Sequence, residues 1–314
     1  MKKRVFIFGS FVTDLTARIE IFPEVGETVK GQNFCMGPGG KGSNQAVAAN
    51  RAGADVSFVT RLGKDALGRA ALDFYKAEGF NTKDVIIDEE YPTGAALIVV
   101  NDTTAQNQIV VIGGACDHFN DSEMPDILNK LKQFDILLLQ LETNLEPVKV
   151  LLKEAKKRGI LTILNPAPAQ SLEEEYLRCI DIITPNETEA QTLTGVEMGD
   201  KDGIRKAAAE LLVSGVGKVI ITLGDDGAYA NDGKDERFFD IVKYDTPVDT
   251  TGAGDAFNGG LAAALARGLD FFDAVLYGST VAGIAVTRHG TAPAMPYEAE
   301  IEEVFKKISA DILA

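Results

Sequence analysis

The sequence predicts an α/β fold in which a doubly wound, mostly parallel β-sheet is flanked by helices. Short apolar segments rich in Val, Ile and Leu recur along the chain, among them RVFIFG, DILLLQL and KVIITLG. Their continuous rather than alternating apolar character indicates strands covered on both faces, as in a parallel sheet. Helical stretches lie between most of these segments, and several end in glycine, the usual C-terminal stop of a helix. This alternation is typical of a doubly wound domain.

The predicted elements follow one another from the first strand onward. Strands are predicted at 4–9, 55–60, 135–141, 159–164, 181–186 and 218–224. Helices are predicted at 43–53, 65–79, 146–159, 203–215 and 261–269. The small residues at 252–254 lie at or just before the N-terminus of the last of these helices.

Two regions break this alternation. Residues 15–36 and 93–112 have the partly alternating pattern of hairpin strands with turn residues between them. Such strands can leave one face solvated or available to a partner. We therefore expect one large domain over residues 1–314 with a small β-sheet lid, inserted as two segments at about 11–40 and 93–115. A lid face too small to form its own core also predicts a homodimer through the lid.

Composition restricts the classes of partner. The 314 residues include 31 basic and 47 acidic side chains, which gives a net charge of −16. An acidic chain without basic clusters argues against nucleic acid and anionic membranes as partners, and no apolar run approaches the ~20 residues of a membrane span. Cys35, Cys116 and Cys179 are far apart and odd in number, which predicts free thiols and a cytoplasmic location.

The stretch DTTGAGDAFNGG, residues 249–260, places Asp255 directly after small residues at a helix start. The start of a helix offers unpaired backbone N–H groups and a partial positive charge, which together suit an anion. Asp is also a preferred helix cap. From this stretch alone, capping and anion binding are equally good interpretations.

Residues 37–44, GPGGKGSN, contain a G-x-G-x-x-G pattern, which also occurs in dinucleotide-binding folds. The next predicted strand ends in Thr60 and Arg61 rather than in the acidic residue that would bind a ribose hydroxyl. A glycine turn into a helix would leave Lys41 and Asn44 unexplained. Both side chains form hydrogen bonds and are suited to binding a polyol.

Two further motifs follow predicted strands, where α/β sheets collect ligands. In TPNETEA, Asn186 and Glu189 can face the same way, and their oxygen atoms suit Mg²⁺ bound partly through water. A helix start with acidic first-turn residues is a simpler interpretation of the same stretch. In TLGDDG, the two glycines permit either a close approach to a ligand or a hairpin turn.

Together and in this order, these motifs resemble the ribokinase-like sugar kinases, the PfkB family. The resemblance covers nearly the whole chain and rests on GGKGSNQAVAA, LNPAPA, TPNETEA, DTTGAGDAFNGG and AVTRHGTAPAMP. It implies transfer of the γ-phosphate of ATP to the primary hydroxyl of a pentose such as ribose. It also implies ATP and Mg²⁺ as cofactors, K⁺ as an activating ion, and a small sugar as substrate.

The resemblance also assigns roles to individual residues. Asp255 is similar to the family's catalytic base. The implied anion hole is Thr251, Gly252, Ala253 and Gly254, and the implied sugar-binding positions are Val12, Asp14, Gly40, Lys41, Asn44 and Glu142. The implied nucleotide-binding residues are Asn186, Thr222, Gly224, Asp225, Gly227 and Ser279, with Asn186 and Glu189 acting indirectly on Mg²⁺. The implied monovalent-cation positions are Asp249, Thr251, Ala285, Arg288, Gly290 and Ala294.

Three positions depart from the family pattern. Val12 stands where Asn is common, Ser279 where Asn or His often lies beside the adenine, and Ala294 where Ser is common. Because valine cannot form a hydrogen bond with a sugar hydroxyl, 2-deoxyribose is a second candidate substrate beside ribose. The sequence also leaves open a kinase for another sugar or a nucleoside, a non-catalytic sugar-binding regulator, and a dehydrogenase based on the glycine pattern at 37–42.

Overall fold

A central β-sheet and a smaller second sheet organise the chain, of which the computed structural model describes residues 3–104 and 106–313. The strands are β1 (Arg4–Phe8), β2 (Val12–Ile19), β3 (Asn33–Gly39), β4 (Asp55–Gly63), β5 (Val85–Asp88), β6 (Thr93–Asn101), β7 (Asn107–Gly114), β8 (Ile136–Gln140), β9 (Leu161–Asn165), β10 (Ile182–Ile183), β11 (Lys218–Thr222), β12 (Ala228–Asn231) and β13 (Glu236–Phe239). The helices are α1 (Lys41–Arg51), α2 (Ala66–Ala77), α3 (Met124–Leu131), α4 (Leu145–Arg158), α5 (Glu174–Leu177), α6 (Glu187–Thr194), α7 (Lys201–Val213), α8 (Ala253–Arg267), α9 (Phe271–Ala285) and α10 (Glu298–Leu313).

The central sheet has nine strands in the order β13-β12-β11-β10-β9-β8-β1-β4-β5. Neighbouring strands pair in parallel except near one edge, where β12 pairs antiparallel with both β11 and β13. After β1, the chain adds β4 and then β5 on one side of β1. It then crosses to the other side of β1, where β8 and the later strands are added in order. The predicted doubly wound sheet is confirmed, and the strand order reverses between β1 and β8, where such folds form their ligand crevice.

Alternate residues of the strands enter two separate cores. Val5 and Ile7 of β1 pack in the core that also contains apolar residues of α1, α8 and α9. Phe6 and Phe8 pack on the opposite face with residues of α3, α4 and α7. Because both faces are covered, the strands are apolar throughout, which is why they are recognisable in the sequence. Helix α9 is buried around most of its circumference, so it lacks the amphipathic pattern by which a helix is recognised.

The second sheet has four strands in the order β3-β2-β6-β7. It consists of two antiparallel pairs, β2 with β3 and β6 with β7, joined by parallel pairing of β2 with β6. Strand alternation places Asp14 and Leu15 on opposite faces. Leu15 is in register with Met36 and Leu97, and Leu97 with Val110, so this face is apolar. Met36, Leu97 and Val110 are about half exposed.

Helices α1 and α8 approach closely at Gly259. A Cβ atom at this position would lie 2.4 Å from the Cβ of Ala48 and 2.6 Å from the carbonyl oxygen of Gln45. Only a glycine allows the two backbones this separation. Asp255 lies one turn before Gly259 on the same face of α8, so the close approach brings its carboxylate to α1.

None of the helices in the described part of the chain combines the length and the apolar character needed to cross a membrane.

Candidate active site

The candidate site lies where β1 and β8 end, at the point where the strand order reverses. Ser10 follows β1 and Glu142 follows β8. The Ser10 hydroxyl lies 2.5 Å from Oε2 of Glu142, and the backbone N–H of Lys41 donates to the same oxygen at 2.8 Å. Glu142 thus links the segments that follow β1 and β8 with the start of α1.

Asp255 is buried against α1 and does not cap its own helix. Oδ2 of Asp255 accepts a hydrogen bond from Nδ2 of Asn44, and Oδ1 accepts one from Nε2 of Gln45, both at 2.9 Å. The N-cap of α8 is Gly252, without a side-chain cap. The capping interpretation is therefore wrong, because close packing of α8 on α1 turns the carboxylate toward α1 rather than toward the N–H groups of its own first turn.

The electrostatic surroundings of Asp255 suit a proton acceptor. Burial raises the pKa of Asp255 above its usual value, although Lys41 and the hydrogen bonds from Gln45 and Asn44 lower it. Burial disfavours the Lys41 ammonium, but the carboxylates of Asp255, Glu142 and Glu189 raise the pKa of Lys41 overall. A buried carboxylate of raised pKa beside a fully charged lysine is an arrangement expected of a general base.

The loop before α8 presents backbone N–H groups at the helix start. Gly252 has φ 79°, a left-handed conformation that glycine adopts without strain. Among the described residues, no acceptor is bonded to the N–H groups of Gly252, Gly254 and Asp255, whereas that of Ala253 donates to the carbonyl of Thr250 at 3.2 Å. The N–H groups of Gly252 and Gly254, two of the residues implied for the anion hole, are therefore free among the described residues, and the N–H of Asp255 beside them is free as well.

Two of the positions that the resemblance implies for sugar binding, Val12 and Asp14, lie on one face of the second sheet. Val12 and Asp14 are two residues apart on β2 and so share that face. A Cβ at Gly39 would lie 2.2 Å from Oδ1 of Asp14, so this glycine makes room for the carboxylate. The hydroxyl of Thr291 donates to the carbonyl of Pro38 at 3.0 Å and lies 3.4 Å from Oδ2 of Asp14.

Asn44 carries a free acceptor at this site. Its Nδ2 donates a hydrogen bond to Asp255, while its Oδ1 is buried with no hydrogen-bond partner among the described residues. An unpartnered buried oxygen is unfavourable unless a ligand supplies a donor. A sugar hydroxyl is such a donor, so Asn44 fits the sugar-binding role implied by the sequence.

We expect the KM for the sugar to rise as pH falls through about 6. Burial, with smaller contributions from the negative charges of Glu142 and Asp255, raises the pKa of Asp14 to about 6 against the lowering effect of Thr291. Below that pH the side chain is a neutral acid and accepts hydrogen bonds from hydroxyls less strongly than a carboxylate does. Steady-state kinetics between about pH 5 and about pH 8 measures the effect. The KM of Asp14→Asn, which is neutral throughout, should not follow this titration; an equal rise in that variant contradicts the assignment.

Most of the residues that the resemblance implies for nucleotide binding follow β10 and β11. Asn186 Oδ1 accepts from the N–H of Glu189 at 2.8 Å, and Glu189 Oε2 accepts from the N–H of Asn186 at 2.9 Å, forming a capping box at the start of α6. Burial raises the pKa of Glu189. The helix-start interpretation of TPNETEA is thus correct: the capping box uses the single side-chain oxygen of Asn186 and one carboxylate oxygen of Glu189. Thr222 bridges to Asn186, which joins the two strand ends.

The turn after β11 is both a hairpin and a glycine loop. It contains the short 3₁₀ turn Gly224–Asp226 and leads into the antiparallel strand β12. Asp225 is exposed there, and Gly227 ends the turn. Ser279 is half-buried on α9, and no hydrogen bond among the described residues joins it to this turn.

The cation positions implied by the sequence are partly brought together. The carboxylate of Asp249 accepts from the N–H groups of Thr251 at 3.0 Å and of Gly290 at 3.1 Å. This ties the loop before α8 to the segment after α9. Arg288 instead pairs with Glu300, and its N–H donates to the carbonyl of Ala285. Ala294 is buried in the short turn that follows.

The dinucleotide interpretation of residues 37–42 is wrong. β3 belongs to the second sheet, whereas β4, which follows α1, belongs to the central sheet. The segment is therefore no βαβ unit, which a dinucleotide fingerprint requires. His118 is exposed and stacks on Tyr91, and the described residues contain no group of three or more metal-binding side chains of the His, Cys, Asp and Glu types.

Gln45 is the functional candidate that the sequence analysis misses. It lies beside Asn44 within the GGKGSNQAVAA motif, and its position next to a residue implied for sugar binding is the available signal. A glutamine one residue further along a helix points about 100° away from its neighbour, so the sequence alone does not place both amides on the same carboxylate.

A buried base beside a helix start with free N–H groups, at the carboxyl edge of a doubly wound sheet, defines a phosphotransferase for a small hydroxylated substrate. The model of the pfkB family carbohydrate kinases matches residues 2–298. The chain belongs to this family.

Several known proteins are similar to this chain over nearly its full length and over nearly their own. The chain is 40% identical over 305 residues to a ribokinase of Haemophilus influenzae, covering 96% of this chain and 98% of that protein. It is 34% identical to a deoxyribokinase of Salmonella typhi, covering 93% and 95%. A solved structure of ribokinase from Arabidopsis thaliana complexed with ribose and ATP has a TM-score of 0.88 at 30% identity and covers 98% of this chain and 99% of that one. The predicted family and ribokinase-like fold are confirmed.

Proposed function

We propose that this protein is an ATP-dependent sugar kinase that transfers the γ-phosphate to the primary hydroxyl of ribose. The observation that carries the proposal is the position of Asp255, a buried carboxylate that lies beside Lys41 and is three residues from the Gly252 amide. Asp255 takes the proton from the sugar hydroxyl as that oxygen attacks the phosphoryl group. The amides at the helix start and Lys41 balance the negative charge of the moving group, which is the main requirement of phosphoryl transfer.

Sugar-dependent release of ADP tests the proposal. A coupled assay over a panel of pentoses, hexoses and nucleosides should give the highest kcat/KM with ribose, and the product should be ribose 5-phosphate. Sugar binding by calorimetry without ADP release from any panel member contradicts the kinase function and favours a non-catalytic regulator. Activity with a nucleoside above that with ribose overturns the substrate assignment.

Val12 makes 2-deoxyribose the second candidate substrate. Its side chain is 3% exposed and packs beside Gly94, where a Cβ would lie 2.9 Å from Cγ1 of Val12. Because the valine side chain offers no hydrogen-bond partner for a 2-hydroxyl, we expect 2-deoxyribose to be used at least comparably with ribose. Val12→Asn should shift the ratio of the two kcat/KM values toward ribose by about tenfold, the effect of one hydrogen bond. Val12→Ala is the control, which removes bulk without adding a polar group. A wild-type enzyme strongly selective for ribose and unchanged by Val12→Asn contradicts this prediction.

We also propose Mg²⁺ and K⁺ as the metal ions of the reaction. The carboxylate oxygen of Glu189 that the capping box leaves free, and the second lone pair of Asn186 Oδ1, fit Mg²⁺ held mainly by nucleotide phosphates and water. When bound, that ion would supply charge neutralisation on the phosphates. The Asp249 loop fits a monovalent cation, because it connects two segments beside the anion site. Assays in sodium, potassium and caesium salts test this part, and equal rates in all three contradict it.

A homodimer through the second sheet is proposed from its exposed apolar face. Leu97 is 46% exposed and Val110 59% exposed, and each lies beside further apolar side chains on neighbouring strands. We expect a dimer by light scattering at micromolar concentration and a monomer for Leu97→Lys, because a buried unpaired charge would oppose association. Val213→Lys is the matched control, since Val213 is 82% exposed on α7 outside this sheet. A strict wild-type monomer contradicts the proposal.

The proposed location is the cytoplasm, in keeping with three cysteines that all remain free thiols.

A further inference from the structure

A chain of buried amide side chains extends from Asp255 into the protein. Nε2 of Gln45 donates to Oδ1 of Asp255 at 2.9 Å and to Oδ1 of Asn165 at 3.0 Å. Nε2 of Gln140 in turn donates to Oε1 of Gln45 at 2.6 Å. Gln45 is fully buried, Gln140 is 1% exposed and Asn165 is 7% exposed. These side chains come from α1, β8 and β9, so three elements of the fold hold one hydrogen-bond chain.

The direction of this chain is fixed at its far end. Nδ2 of Asn165 donates to the backbone carbonyl of Thr184 at 3.1 Å, and a carbonyl only accepts. Oδ1 of Asn165 must then face Gln45, so Gln45 must direct its Nε2 toward both Asn165 and Asp255. Reversing the Gln45 amide would place its oxygen against two other oxygens. Gln45 is therefore held as a donor to the carboxylate.

The orientation of the Gln45 amide is accompanied by one unfavourable group, a buried oxygen of Gln140. Oε1 of Gln140 is buried without a hydrogen-bond partner among the described residues. A Cβ at Gly9 would lie 2.0 Å from that oxygen, so the space exists only because residue 9 is glycine. Reversing Gln140 would remove its donor from Oε1 of Gln45. A buried unpartnered oxygen beside an active site is expected where function opposes stability.

We propose that Gln45 is a positioning residue for Asp255: it fixes one oxygen of the carboxylate and favours its ionised form, so that the base is ready to accept the sugar proton. The inference rests on the kinase function proposed above. Asn44 binds the other carboxylate oxygen, and each oxygen retains a further lone pair for that proton. Gln45 touches no reacting atom and acts only through Asp255.

The effect of Gln45 on the pKa of Asp255 can be separated from the effects of the surrounding charged groups. Lys41 faces Asp255 from α1, Glu142 from the end of β8, Asp14 from β2 and Glu189 from α6. Burial raises the pKa of Asp255, and the hydrogen bond from Gln45 lowers it together with Lys41 and Asn44. Replacing Gln45 alters none of those charges, so a change in the titration of Asp255 reports the lost hydrogen bond.

The test is the pH dependence of kcat in Gln45→Met, which keeps the side-chain volume but donates no hydrogen bond. The acid limb of the pH profile should move up by about one pH unit, so that kcat on that limb falls by up to about tenfold and recovers at higher pH. The KM for the sugar should change by less than about twofold. Gln45→Glu keeps size and adds a second carboxylate, so its acid limb should move further in the same direction.

Ser43→Ala is the matched control, because Ser43 is equally buried on α1 and bonds Tyr75 rather than the site. It should lower the melting temperature without moving the acid limb. An unmoved limb in both Gln45 variants, or a loss of kcat equal at every pH, overturns the proposal. The ¹³C carboxyl resonance of Asp255, assigned by its loss in Asp255→Asn, gives a readout independent of turnover and should titrate at higher pH in Gln45→Met. A wild-type protein without sugar-dependent ADP release would contradict the kinase function, while this resonance would still decide the role of Gln45.

Discussion

Asp255→Asn is expected to lower kcat by about 10²–10⁴-fold, the usual effect of removing a general base. The variant keeps size and shape. Its amide oxygen can accept from Gln45, whose orientation is fixed, while Asn44 can turn its unpartnered Oδ1 toward the new NH₂ group. Because this turn changes what Asn44 presents to the sugar, a moderate loss of sugar affinity should accompany the larger loss of kcat. Steady-state kinetics with calorimetric sugar binding measures both.

The same substitution should not destabilise the fold. Burial raises the pKa of Asp255, so the folded state disfavours the carboxylate, and this contribution to stability decreases as pH rises through the raised pKa. Asn carries no charge, so the unfavourable burial of a carboxylate is absent in the variant. The melting temperature above this pKa should therefore equal or exceed that of the wild type. Asp273→Asn is the control: Asp273 is also the third residue of its helix but is exposed, and turnover should be unchanged. Near-normal kcat in Asp255→Asn contradicts the assigned mechanism.

Gly259→Ala is expected to lower the free energy of unfolding by about 1–3 kcal/mol, the usual range for overpacking. In an open helical position the change would be favourable, because Ala has the higher helix propensity. Here the new methyl group would lie 2.4 Å from the Cβ of Ala48 and 2.6 Å from the oxygen of Gln45, so α8 must move away from α1. Urea denaturation measures the loss. Turnover should also fall, because the movement separates Asp255 from Asn44 and Gln45.

Gly199→Ala is the control for that experiment. A Cβ at Gly199 would meet nothing within 4 Å, and the change should leave stability within about 0.5 kcal/mol of the wild type. Unfolding free energies of Gly259→Ala and Gly199→Ala that are equal would show that α8 has room to approach α1 differently, and would contradict the packing described at Gly259.

Much of the fold was predictable because strands of the central sheet that are buried on both faces have continuous apolar sequences. The strand predicted at 135–141 is β8 at Ile136–Gln140, and the helix predicted at 43–53 is α1 at Lys41–Arg51. β12 and β13, the last two strands at one side of the sheet, are short, and α9 is apolar on nearly all sides, so none of these three elements has a periodic pattern to recognise. Motifs identified the family for a related reason, since a glycine-rich helix start and its aspartate are contiguous in the chain.

By itself, the sequence determined the layered α/β architecture, the family, and the helix start at the small residues 252–254. Only the tertiary structure decided that the carboxylate of Asp255 turns to α1 rather than capping α8, that the amide of Ala253 is engaged elsewhere, and that Gln45 joins the site. It also decided that β2 pairs with β6 in parallel. The physical reason is that the pattern of apolar residues in a segment indicates which of its faces is buried, but does not indicate which other segment packs on that face. Gln45 and Asp255 are 210 residues apart, and their hydrogen bond exists because Gly259 lets two helices come close.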